Sequence, residues 1–196
     1  QKEIADSGKP VEILRIQELG GTSRAIQAGI DLAQKLVLET SGLQREEADI
    51  SNVIMSIKCG ASDTTSGMAS NCVIGYVADK LVDLGATVIF GETTEFLGGE
   101  HILARRAVGG EGGPVGRKIY EIVDRMEKRA KAIGEDMRGG QPTPGNIAGG
   151  LSSIEEKSLG AIVKSGHRPI QGVLEYPDFV TDQKGLWIKD APGREP

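Results

Sequence analysis

Apolar and polar positions along the chain alternate between a two-residue and a helical rhythm. Val11-Glu12-Ile13-Leu14-Arg15-Ile16 reads as a half-buried strand, and Gly20-Gly21 breaks it. Thr22 or Ser23 is placed to cap the next helix, where Ile26, Ile30, Ala33, Leu36 and Val37 recur at helical spacing. A polar connection over 41–51 leads to a second strand at 52–57. Val73, Ile74, Val77, Leu81 and Leu84 then trace one face of a helix over 71–84, with Gly85 as its C-terminal stop. Thr87-Val88-Ile89-Phe90 follows as a short apolar strand, a composition expected for burial on both faces.

Right-handed crossovers turn this β-α-β-α-β order into a parallel sheet. The remainder reads as more helical. Helices are predicted over 100–107 and 115–137, the second with Ile119, Ile122, Val123 and Met126 inward. Pro142-Thr143-Pro144-Gly145-Asn146 predicts a constrained loop. Ser152-Ser153-Ile154-Glu155 has capping-box spacing and opens a helix through Val163 that stops at Gly166. Two late strands are predicted at 170–176 and 185–189. The expected class is a three-layer α/β fold, a mostly parallel sheet with flanking helices and a Rossmann-like βαβαβ core. Residues 1–196 read as one α/β domain: 1–98 is the βαβαβ half that carries the polar loops, and 99–196 holds the helical stretch and the late strands.

Length and charge narrow the partners. A chain of 196 residues is long enough to bury a sizeable core. Its net charge of -5 opposes nucleic acid, whose phosphates demand a basic footprint. No apolar run reaches the roughly 18–20 residues of a membrane span, so no membrane partner is expected. The two cysteines, Cys59 and Cys72, form no CxxC pair and point to a reducing compartment, hence a cytoplasmic location. Gln1-Lys2-Glu3-Ile4 has neither an initiator Met nor the apolar core of a signal peptide. Together with the Ala191-Pro192-Gly193-Arg194-Glu195-Pro196 ending, this suggests a piece of a longer protein, with an ordinary flexible tail as the alternative.

The chemistry concentrates at two strand ends. Lys58-Cys59-Gly60-Ala61-Ser62-Asp63-Thr64-Thr65-Ser66-Gly67 places a thiol, a carboxylate and four hydroxyls after one strand, and Gly91-Glu92-Thr93-Thr94-Glu95 follows another. Parallel strands bring such loops to one edge, where open α/β sheets bind small ligands. Cys59 suits a metal ligand or an activated nucleophile, and equally a small buried hydrophobe. Asp63 suits a metal, a proton or, most commonly, a helix cap. Ser62, Thr64, Thr65 and Ser66 can cradle a carboxylate or simply make turns. Glu92 and Glu95 can share a hard cation or tune one another as acid and base, or stand in solvent. His101 is a conceivable ligand or acid, with an ordinary surface histidine as its alternative. Cys72 reads as packing. His167 and Arg168 could bind a carboxylate, and Gly149-Gly150 implies close backbone approach to a ligand or another strand.

Taken together these strings resemble the altronate/galactarate dehydratase family. Lys58-Cys59-Gly60-Ala61-Ser62-Asp63, Ser66-Gly67 and Asn71 resemble its CGGSD…SG…AN signature. Gly91-Glu92-Thr93-Thr94-Glu95, Gly99-Glu100-His101-Ile102-Leu103 and Arg105-Arg106-Ala107 are similar to its SET-x-E…GAEHLL-x-RRA stretch. Pro142-Thr143-Pro144-Gly145-Asn146, Gly149-Gly150-Leu151, Glu156-Lys157-Ser158-Leu159-Gly160 and Asp190-Ala191-Pro192-Gly193 resemble PTPGN, GGL, EKSLG and DTPG. Ala61, Gly91 and the Ser70-Asn71-Cys72 string depart from the usual Gly, Ser and Ala-Asn-Pro.

The resemblance implies a central-domain fragment of a bacterial hydro-lyase whose N- and C-terminal domains are its partners. The reaction it implies removes the C2 proton of altronate or galactarate and expels the C3 hydroxyl, leaving a 2-keto-3-deoxy acid. The same family includes the sulfolactate sulfo-lyase large subunit, which releases sulfite and pyruvate. It further implies Fe(II), or another divalent metal, with Cys59 and Asp63 as ligands. Glu92, Glu95 and His101 would be the catalytic groups, and Ser62, Thr65, Ser66 and Asn71 would hold the sugar acid. A fragment of this kind is expected to be inactive alone and to expose apolar surface, which would favour a homodimer. A non-catalytic ligand-binding or assembly domain is the reading from a different class.

Overall fold

The computed structural model describes residue 6, residues 8–180 and residues 182–191. The expectations drawn from Gln1–Ile4 and from Pro192 onward lie outside the described residues. The chain divides near residue 47 into two compact units.

The first unit holds one long helix, α1, Thr22–Ser41. Gly21 at φ 113° occupies its N-cap, so neither Thr22 nor Ser23 caps it as expected. Its apolar stripe is present but covers no core: none of its residues is buried, and Ile26, Ile30 and Val37 are exposed. The strand predicted at 11–16 is not formed. A lone alternating segment needs a neighbouring strand to pair its backbone. Here 16–20 instead closes a turn, with Leu19 and Gly21 amides bonding to Arg15 and Ile16 carbonyls. Leu14 reaches α1 at Gly29, where its Cδ1 lies 3.5 Å from the space a Cβ would take.

The second unit is built on a four-stranded sheet in the order β1-β2-β4-β3, with every pairing parallel. The strands are β1, Ile54–Ile57; β2, Thr87–Phe90; β3, Ile170–Leu174; and β4, Gly185–Lys189. Flanking helices complete the three-layer α/β arrangement. β2 lies between β1 and β4 and is buried throughout, as its apolar run predicts. The late strands join the same sheet, so the second half of the sequence completes the first.

In register, Ile57, Phe90 and Ile188 face the same way, as do Met55, Val88 and Leu186. This face packs on Phe96, Leu97, Leu103, Ile119, Ile122 and Ile162 to form the core. Helix α2, Asn71–Asp83, follows a π-helical turn at Ser66–Ser70. It ends as predicted at Gly85 (φ 80°), whose amide bonds to Val82 O while Ala86 N–H bonds to Leu81 O.

The inward face of α2 differs from the expected one. Gly75 and Ala78 are buried, with Ile74, Leu81 and Val82 beside them, whereas Val73, Val77 and Leu84 are exposed. The Gly75 position sits so close to Val163 O that only a residue without Cβ fits, and this contact sets the helix rotation. Cys72 is consequently exposed rather than packed.

Further boundaries shift. Helix α3 covers Glu100–Arg106, and α4 covers Pro114–Ala132, not 115–137, because Gly134 turns the chain at φ 83°. Ile119, Ile122, Val123 and Met126 do point inward. The Pro-Thr-Pro-Gly-Asn string is not wholly loop: Pro144–Ala148 forms a short helix, α5, with Pro144 at its start. Thr143 and Asn146 close a capping box there. Helix α6, Ile154–Ile162, is capped one residue later than predicted, by Ser153 accepting from Glu156 N–H. It continues as a 3-10 turn, Val163–Ser165, to Gly166.

Candidate active site at the carboxyl edge of the sheet

Because the strands run parallel, the segments after β1, β2 and β4 emerge at one edge. The 58–67 loop is braced by the turn around α5. Asn146 Nδ2 donates to Ser62 O (2.8 Å), and Thr64 N–H and Oγ1 both donate to Gly149 O (3.0 and 3.2 Å). A Cβ at Gly149 would meet Asp63 Cβ at 2.7 Å, and one at Gly150 would meet Thr64 Oγ1 at 2.5 Å. The close approach implied by Gly149-Gly150 is therefore to this loop.

The segment after β2 makes a 3-10 turn, Thr93–Phe96, entered through Glu92 in the left-handed region at φ 75°. Non-glycine residues adopt that conformation rarely, and it aims Glu92 differently from an extended residue. Asp190, just beyond β4, pins the turn. Its Oδ1 accepts from Thr93 Oγ1 at 2.5 Å and its Oδ2 from Arg125 at 2.5 Å, while Thr93 N–H bonds to Ala191 O.

These two loops bring Cys59, Glu92 and Glu95 together, with ligand atoms all within 4.8 Å of one another. Cys59 N–H donates to Glu92 Oε2 at 3.0 Å, and the Cys59 thiol lies 3.2 Å from Ser62 Oγ. Glu95 is 2% exposed, and its Oε2 pairs with Lys164 Nζ at 2.5 Å. Its Oε1 is buried without a hydrogen-bond partner. Burial pushes the Glu92 carboxyl up, opposed by the Cys59 amide and reinforced by the Glu95 charge. Burial also pushes the Cys59 thiol up; the Ser62 hydroxyl opposes this and Glu95 adds to it.

The remaining candidates stand elsewhere. Asp63 Oδ1 accepts from Thr65 Oγ1, Ser66 N–H and Ser66 Oγ at 2.7, 2.7 and 2.9 Å. Those bonds hold its carboxyl low and occupy Thr65 and Ser66 in local turn structure. Asn71 Nδ2 donates to Gly160 O at 2.9 Å, joining α2 to α6. His101, on α3, lies outside the thiol–carboxylate group and near Glu111. His167 and Arg168 do bind carboxylates, but the chain's own: His167 N–H and ring meet Asp79, and Arg168 forks onto Asp83 at 2.6 Å twice.

Lys164 and Asp190 are site residues that the sequence reading passed over. Asp190 had a signal in its motif. Lys164 lay in an otherwise apolar helix end, and a lysine there looks like a solvated one.

Two clefts flank the cluster. One, about 470 Å³, is lined by Cys59, Ser62, Asp63, Asn146 and Lys157. The other, about 400 Å³, crosses the ends of β1, β2 and β4 and is lined by Lys58, Gly91, Glu92, Tyr176, Phe179 and Lys189.

Fold and site define an α/β protein with a thiol–carboxylate cluster at the carboxyl edge of a parallel sheet. The chain belongs to the D-galactarate/altronate dehydratase family, whose C-terminal domain matches residues 50–196. It is 41% identical over 189 residues to the (2R)-sulfolactate sulfo-lyase subunit beta of Chromohalobacter salexigens, covering 96% of this chain and 48% of that one. It is 36% identical over 175 residues to galactarate dehydratase (L-threo-forming) of Escherichia coli, covering 89% and 32%. Altronate dehydratase of Bacillus subtilis is 34% identical over 174 residues, covering 87% and 33%. These relatives are lyases, and the chain spans 48% of the first and about a third of the others. Among the described residues no helix is long and apolar enough to cross a membrane.

Proposed function

We propose that this chain carries the catalytic centre of a lyase that removes the proton beside a 2-hydroxy acid's carboxylate and expels the substituent on the next carbon. The observation that carries it is the Cys59–Glu92–Glu95 group with a buried Glu95 oxygen left unpartnered. An unpaired buried carboxylate oxygen is costly, and a cation relieves it.

Thiolate with carboxylate oxygens suits Fe(II), so Cys59 and Glu95 would hold the ion with Glu92 in reach. Bound there, the ion would supply electrophilic stabilisation of the substrate carboxylate as charge develops on C2. Glu92 Oε2 is already engaged by Cys59 N–H, which leaves Oε1 to accept the C2 proton. The raised affinity of Glu92 for a proton suits that role. Lys164 holds Glu95 Oε2 and so fixes the direction of Oε1. Ser62, beside the thiol, can donate to a substrate oxygen.

A sugar acid, altronate or galactarate, loses hydroxide and gives a 2-keto-3-deoxy acid. A second reading, 3-sulfolactate losing sulfite and giving pyruvate, is favoured by the 41% identity to the sulfo-lyase subunit over nearly the whole chain. The full-length protein, loaded with Fe(II) without oxygen, is to be assayed on altronate, galactarate and sulfolactate for keto acid and sulfite together. Keto acid alone supports the dehydratase, and keto acid with equal sulfite the sulfo-lyase. No turnover on any of the three overturns the lyase reading and favours a binding domain.

A further inference from the structure

We infer that the cleft between Lys58 and Lys189 is a subsite for a second anionic group, a sulfonate or carboxylate, so that the substrate is a dianion. This rests on the lyase reading above and narrows its substrate class. The register makes the placement. Ile57 pairs with Phe90 and Phe90 with Ile188, so the next residues, Lys58, Gly91 and Lys189, continue at one level across three strands. Neighbouring strands are about 4.8 Å apart, which sets the two lysine backbones roughly 10 Å apart on either side of Gly91. That separation lets two flexible ammonium arms converge on one group of two or three oxygens.

The cleft floor is open. A Cβ at Gly91 would find nothing nearer than Ile57 O at 3.9 Å, so the space above it is unfilled. Lys58 makes no ion pair or hydrogen bond among the described residues. Lys189 Nζ donates to the Asp178 carbonyl at 3.2 Å and forms no ion pair there. Other cations near the sheet are already committed: Lys164 to Glu95, and Arg125 to Glu175 and Asp190. The Asp178 carboxylate also lines the cleft, but its Oδ2 is turned to the Glu175 amide at 2.8 Å. Glu92 belongs both to this cleft and to the Cys59–Glu95 group. A ligand with one carboxylate at that group therefore reaches the lysines with its other end.

The test uses the full-length protein and two unreactive dianions, sulfoacetate and malonate, with acetate as the monoanion. Calorimetric titration is expected to show both dianions binding more tightly than acetate. Lys58→Gln and Lys189→Gln should each weaken the dianions by on the order of tenfold, the loss of a charge-assisted contact. Sulfoacetate binding above malonate identifies a sulfonate subsite, and the reverse order a second carboxylate. Gly91→Val, which fills the floor without touching either charge, should weaken both. In turnover, the lysine variants should lower kcat/KM for sulfolactate or galactarate relative to altronate. Dianions that bind no better than acetate, or no worse in both lysine variants, would overturn the subsite. Lysine-dependent binding in a protein that turns over none of these acids would sink the lyase reading and leave the subsite standing.

Discussion

Replacing Lys164 by Met removes the cation from a pair that is almost wholly inside the protein. The lysine is 3% exposed and Glu95 2%, with Nζ 2.5 Å from Oε2. Methionine keeps most of the side chain's volume and its place near the Phe90 ring, so packing is a minor part of the change. What remains is a buried carboxylate with one oxygen already unpartnered and the other newly so. Breaking a buried pair by removing one member costs about 3–5 kcal/mol. For a domain of this size each kcal/mol lowers Tm by about 2–4 °C, so Lys164→Met should lose roughly 6–20 °C.

Thermal and urea unfolding of the metal-free protein, followed by circular dichroism, measures this directly. Two controls separate charge from shape. Glu95→Leu combined with Lys164→Met replaces both charges by apolar groups of similar volume and should recover much of the loss, since such replacement of a whole pair is often close to neutral. Fe(II) added to Lys164→Met should raise Tm more than in the unmodified protein, because the ion returns a positive charge to Glu95. A loss below about 1 kcal/mol would show the pair to be solvated. A double variant as unstable as the single one would show the loss to be packing. Either result would refute the reasoning.

Three more outcomes follow from particular contacts. Gly75→Ala drives a methyl into Val163 O and should cost about 1–3 kcal/mol in urea unfolding, whereas alanine at the neighbouring exposed Val77 should cost much less. Burial pushes Asp79 up, but bonds from the His167 and Arg168 amides and the His167 ring outweigh it and hold the carboxyl below 3.8. That stability is present above pH 3.8 and lost as pH falls through the lower folded value, so Asp79→Asn should cost about 1–2 kcal/mol at neutral pH and converge with the parent in acid. Cys59→Ser should leave unfolding nearly unchanged while abolishing Fe(II) retention after gel filtration; retained iron would remove the thiol from the ligand set.

The elements that the sequence predicted well are those whose cause is local. β2 is four residues of apolar or β-branched character, and only a strand between two others buries all of them. The meeting of the 58–67 and 91–95 loops was legible too, since parallel strands must end on one edge. Non-local causes were not legible. Residues 11–16 are mostly apolar with Glu12 and Arg15 between, but the alternation slips at Ile13-Leu14, and a strand needs a pairing partner that no pattern in the segment itself guarantees. The α2 face was misread because apolar spacing favours Val73 and Val77, while the real contact is made by what Gly75 lacks.

Lys164 shows the same limit inside the site. Its partner Glu95 is 69 residues away, and nothing in Ala161-Ile162-Val163-Lys164 indicates that the chain delivers it to a carboxylate. Asp63 is the reverse case, a residue whose polar neighbours are so near that they satisfy it locally. Two of the hydroxyls that made its loop look like a ligand cradle, Thr65 and Ser66, are bonded to it. Thr93, two residues before Glu95, donates to Asp190 instead, and Glu95 Oε1 stays open within the core. A carboxylate kept from its own loop's donors, paired on one side only and set beside a thiol and a second carboxylate is prepared to take a cation from outside.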